Sequence, residues 1–88
     1  MRKNNYCSII DAISDLHSRG FLFDFSLMGN KLLCVQQQSY VSAAEFQVRE
    51  MYRFRTYNSI YKETIIYALE SDCRPLKGLL LTHQEIAE

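Results

Sequence analysis

The chain has no tryptophan, a single proline and only three glycines. So little punctuation excludes linkers, low-complexity tracts and Pro/Gly-rich architectures, and no internal repeat is present. Net charge is also missing: ten lysines and arginines balance ten aspartates and glutamates. That balance gives no global basic field for nucleic acid or acidic membranes. No run of 18 apolar residues occurs, so a transmembrane helix is not expected. The three cysteines, Cys7, Cys34 and Cys73, are odd in number, widely spaced and without a CxxC pair. This is neither a disulfide frame nor a zinc site. They read as reduced thiols of a cytoplasmic protein, two of them at least partly buried. His17 and His83 are the only histidines, and neither is spaced with cysteine or carboxylate for a metal. No metal and no cofactor is expected. No Ser-His-Asp or Cys-His order points to a nucleophile.

What is present is a hydrophobic content of 48% in 88 residues. This is too apolar for disorder and enough for one modest core, since folding at this length buries roughly 60–65% of the unfolded surface. Residues 1–88 are therefore expected to form one domain. The start, MRKNNYCSIIDAISDL, has a basic head, but Asp11 and Asp15 interrupt the apolar stretch that a signal peptide needs. It reads instead as a helix over residues 5–19. Tyr6, Ile9, Ile10, Ile13, Leu16 and His17 form its apolar stripe, Asn4 or Asn5 its cap, and Gly20 its left-handed stop.

The period then changes to two. In FLFDFSLM, Phe21, Phe23, Phe25 and Leu27 alternate with Leu22, Asp24, Ser26 and Met28. Gly29-Asn30 fits a two-residue type II′ turn into a second strand, KLLCVQ. That turn makes paired positions sum to 59, so Leu27 faces Leu32 and Phe25 faces Cys34. The helix is expected to cover this Phe-rich face. Residues 38–45 read as a connection, with Ser42-Ala-Ala-Glu45 as a capping box. A third strand spans 46–55, with Phe46, Val48, Glu50, Tyr52 and Phe54 on one face and Gln47, Arg49, Met51, Arg53 and Arg55 on the other. TYNSIYKE reads as a turn, 64–70 as the fourth strand, Ser71 to Pro75 as a turn, 76–83 as the fifth strand, and QEIAE as a frayed end or helical turn. Short connections imply antiparallel neighbours. The fold expected is α+β: one N-terminal helix packed on a five-stranded antiparallel sheet.

With these pieces in place, DLHSRGFLFDFSL, KLLCVQ, EFQVREMYRF, IIYALES and KGLLL, in that order from about Ala12 to Leu81, resemble a family of small bacterial proteins commonly labelled phosphoribosylpyrophosphate synthetase. The label does not extend to chemistry. A synthetase of that name is several times longer, and the present chain has no P-loop and no acidic, hydroxyl- and Gly-rich run to hold a ribose phosphate. After Leu81, THQEIAE replaces the family's Gly- and Tyr-containing end. What the resemblance implies is a small bacterial protein without an assigned activity.

Among individual residues Glu50 stands out, because a carboxylate between Val48 and Tyr52 on an apolar face must be paired, hydrogen-bonded or edge-exposed. Asp24 and Arg53 are expected on the open sheet face as a cross-strand ion pair. Arg49, Arg53 and Arg55 form a basic stripe near Tyr52 and Tyr57, more readily a solvated face than a single-stranded nucleic-acid platform. Leu33, Val35 and Met51 are expected on that same open face, which is apolar enough to mark an interface. The functional expectation is a non-enzymatic interaction module, a homodimer through the open sheet face or an edge strand. The alternative is a small-ligand binder or enzyme using Glu50, Tyr52, Arg53 and Asp24.

Overall fold

A computed structural model describes the backbone of residues 6–57 and 61–85 and the side chains of residues 6–55 and 63–83. The expected caps Asn4 and Asn5, and residues 58–60 of the expected TYNSIYKE turn, lie outside the described residues. Among the described residues one helix, α1 (Ile9–Ser18), precedes six strands: β1 (Phe23–Met28), β2 (Lys31–Cys34), β3 (Ser39–Ser42), β4 (Phe46–Tyr57), β5 (Tyr61–Ser71) and β6 (Lys77–Glu85). A single 3-10 turn, Ala43–Glu45, separates β3 from β4. The class is α+β as expected, but the sheet has six strands and is mixed rather than purely antiparallel.

The helix starts later than its pattern suggested because Ser8 is the cap, its hydroxyl accepting from the Asp11 N–H at 3.1 Å. It ends at Gly20 as expected. The Gly20 N–H donates to the His17 carbonyl and the Phe21 N–H to Leu16, the double bond of a Schellman stop, with Gly20 at φ +104°. The buried stripe is Ala12 and Leu16, flanked by Ile9 and Ile13. Ile10 is 76% exposed and lies off that stripe.

The order across the sheet is β3-β2-β1-β6-β5-β4. The hairpin register holds: Phe25 pairs with Cys34 and Leu27 with Leu32. Gly29 has φ +65° and Asn30 does not have positive φ, the signs a type II′ turn requires. β1 then pairs in parallel with β6, Phe25 opposite Leu80. Short connections do make consecutive strands antiparallel, but this central pair joins strands that are not consecutive. The missed strand, β3, has only four residues and follows a turn that holds neither Gly nor Pro.

The sheet cannot be flat. β3 and β4 are its two edges, five strand spacings or about 24 Å apart if flat. The three residues Ala43–Glu45 that join them reach about 14 Å at full stretch. The sheet therefore curls until its edges approach. The Phe25 and Phe46 rings, on strands three places apart, meet edge-to-face at 5.1 Å between centroids.

Curling creates two cores. On the concave face Phe25, Leu32, Cys34, Val41, Leu69, Leu76 and Leu80 are buried together. On the convex face α1 lies over β4, β5 and β6, burying Ala12, Leu16, Phe21, Ile66, Ala68 and Leu79. The Phe-rich face is thus closed by the sheet's own far half and not by the helix. Phe21 precedes the strand and joins the helix core. Of the cysteines only Cys34 is buried; Cys7 and Cys73 are exposed, against the expectation of two.

Candidate functional site

Two places are chemically distinctive, one on each face. The first is built around a β-bulge. Val48 pairs with Leu69 and Glu50 with Ala68, so Arg49 is the extra residue. Leu69 belongs to the concave face and Ala68 to the convex one. The bulge therefore sends Phe46 and Val48 to one face and Glu50, Tyr52 and Phe54 to the other. Simple alternation had placed all five together, and a one-residue insertion is what alternation cannot register.

Glu50 arrives beside the end of α1. Both its oxygens accept from Arg19, each at 2.7 Å, and Oε1 also accepts from the Tyr52 hydroxyl at 2.6 Å. The network continues: Arg19 Nε donates to Asp15 at 3.2 Å and Nη2 to the Tyr6 hydroxyl at 3.2 Å, while Tyr6 donates to Asp15 at 2.5 Å. The Tyr6 and Tyr52 rings meet edge-to-face at 4.9 Å. Burial, followed by the Glu50 hydrogen bond, raises the Tyr52 phenol well above its usual range. Burial also raises Tyr6, and the hydrogen bonds to Glu50 raise Arg19. Tyr52 thus stays a neutral donor and Arg19 a cation at ordinary pH. The arrangement clamps the helix end to the bulge with both carboxylate oxygens engaged in fixed bonds.

Arg19 and Glu50 side chains keep 41% and 28% of their surface, so solvent screens their attraction. A double-mutant cycle with Arg19→Gln and Glu50→Gln should return a coupling of about 1 kcal/mol in urea unfolding. A coupling near zero would mean that the clamp contributes nothing to stability.

The remaining expected site residues disperse. Arg53 pairs opposite Ile65 on the concave side of β4, away from Glu50; its guanidinium lies 4.0 Å from the Glu63 carboxylate. Tyr52 and Arg53 share only a hollow of about 420 Å³ along the outer edge of β4. Asp24 sits opposite Leu79 on the convex face and exchanges two hydrogen bonds with Gln36, so it does not pair with Arg53. The basic stripe is also split, since Arg49 lies in the bulge and bonds Glu70 at 3.0 Å. Leu33 is on the convex side, Val35 in the turn after β2 and Met51 on the concave side, so these three do not share an open face. Ser42 does cap the 3-10 turn through the Ala44 N–H, but Glu45 turns away to Ser71 and Arg74 instead of closing a capping box.

The second place escaped the sequence reading. At the mouth of the curled sheet lies a groove of about 290 Å³. Its floor is Tyr67, Leu69 and Leu80, and its walls are Leu27 and Leu32 on one side and Phe46 and Val48 on the other. Leu27 and Val48 are 51% and 54% exposed. Thr82 contributes a hydroxyl at one end. The alternation of Phe25, Leu27 and Leu32 marked an apolar face, but only the edge-to-edge curl makes it concave. Among the described residues no group of three or more His, Cys, Asp or Glu is placed to hold a metal ion. No described helix is long and apolar enough to cross a membrane. No family model, curated protein or solved structure matches this chain.

Proposed function

We propose that this protein is a non-catalytic binding module that takes a small apolar group into the groove at the mouth of its curled sheet. One observation carries the reading: an almost wholly apolar concavity whose walls, Leu27 and Val48, remain about half exposed. Barrel mouths are a common place for ligand pockets, and about 290 Å³ is at the small end of their usual size. A medium-length alkyl chain or a small aromatic compound is the matching scale. The Glu50 cluster supports a structural role better than a chemical one, because its carboxylate is held by Arg19 and Tyr52. The resemblance to small bacterial proteins, and a cytoplasmic location with reduced thiols, belong to the same proposal.

Titration with the uncharged fluorophore N-phenyl-1-naphthylamine tests it. Saturable one-to-one enhancement is expected, weakened at least about tenfold by Val48→Asp, which sets a carboxylate against the bound apolar group. Because Val48 is exposed, the variant should melt within about 0.5 kcal/mol of the parent. Equal enhancement by both proteins would remove the groove from consideration.

Self-association is the second reading. It is favoured by the uncovered convex face of β1–β3, where Leu33 lies between Ser26 and Tyr40, and Tyr40 and Met28 are exposed. It expects a dimer in light scattering.

A further inference from the structure

Resting on the groove reading, we infer that the ligand is an amphiphile with an anionic head, a medium-chain carboxylate, whose tail fills the groove and whose head is met by Arg53. The argument is one of charge and rungs. On the concave face Met51, Tyr67 and Leu80 form one cross-strand rung, and Arg53, Ile65 and Thr82 form the next, about 7 Å along the strands. Tyr67, Leu80 and Thr82 line the groove. Thr82 ends the groove on β6, and on the same rung a guanidinium stands two strands away at the outer end, past the buried Ile65.

Arg53 keeps 58% of its side chain exposed, and its contact with Glu63 is long, at 4.0 Å. On the following rung Arg55 stands opposite Glu63. The described charged groups at this end are thus two arginines and one glutamate, an excess of one positive charge beside an uncharged groove. At the other end, Glu45 and Arg74 already satisfy one another at 2.8 Å. A neutral apolar ligand would leave the cationic end unused. A carboxylate on a short chain is complementary to both parts, because Arg presents a fork that matches it.

The test compares two ligands of equal length, decanoate and 1-decanol, by displacement of N-phenyl-1-naphthylamine at pH 8 and low salt. Decanoate should bind about fivefold more tightly, an advantage that added salt erodes. Arg53→Gln should bring decanoate to the affinity of decanol and leave decanol unchanged. Each methylene removed from either ligand should weaken binding about fourfold. Equal affinities for the two ligands, or a loss on Arg53→Gln common to both, would overturn the headgroup assignment while leaving the groove in place. Failure of both ligands to displace the fluorophore would overturn the groove reading with it.

Discussion

Gly78→Ala should lower the melting temperature by more than about 12 °C, the largest effect expected of any single methyl group in this protein. Gly78 sits on β6 opposite Phe23 of β1, at the parallel pair in the middle of the sheet. A Cβ there would lie 2.2 Å from the Phe23 carbonyl oxygen, 2.8 Å from its carbon and 2.6 Å from the Phe25 ring. The ring belongs to the concave core, which is already filled. The oxygen belongs to the backbone of a strand held on both sides, so it cannot rotate away. Overpacking of this kind costs about 3 kcal/mol. For a domain of this size each kcal/mol shifts the midpoint by roughly 4–8 °C. Gly29→Ala is the control: nothing lies within 4 Å of its Cβ, and only its φ of +65° opposes the change, at about 1 kcal/mol. A thermal melt followed by circular dichroism decides the matter. A Gly78→Ala loss no greater than that of Gly29→Ala would show that β1 and β6 separate easily.

The second large effect is a pair. Leu16→Ala on the helix and Leu80→Ala on β6 should each cost about 3 kcal/mol, since both side chains are buried and each leaves a cavity. The informative quantity is their sum. Leu16 belongs to the core under α1 and Leu80 to the core inside the curl, with the sheet between them. The double variant should therefore lose the two costs added together, within about 0.5 kcal/mol, in urea unfolding. A single continuous core would give a clear departure from additivity. The double variant is expected to be barely folded, so Ile9→Val replaces Leu16→Ala as a milder partner where needed.

Much of the fold was legible residue by residue. The helix stop at Gly20, the Gly29-Asn30 hairpin and its register all follow from local rules that act within a few residues. What escaped has a common physical origin, which is that it depends on parts of the chain far apart in sequence. Phe25 was correctly placed on an apolar face, but the choice between α1 and Phe46 as its cover is made by the curl. Likewise Glu50 was marked as needing a partner, because a carboxylate in an apolar pattern demands one. That the partner is Arg19 depends on the Arg49 bulge, and a bulge leaves no mark in a two-residue period. Grouping Leu33, Val35 and Met51 requires a flat sheet with one open face, and the curl removes that face. Alternation sets Arg53 beside Asp24, but its rung on the concave face runs to Thr82, while Asp24 lies on the convex face.

The parallel pairing of β1 with β6 also sets the order in which this chain completes itself on the ribosome. The β1–β2–β3 meander emerges early and pairs locally. Its β1 edge, however, waits for Gly78 to Leu80, more than fifty residues later. Until then that edge is an unprotected template for any other extended segment. Contacts of such long sequence separation also slow folding. Nascent chains stopped before β6 should therefore be the species that chaperones hold, and a truncation that removes β6 should behave as a loss of the sheet's centre.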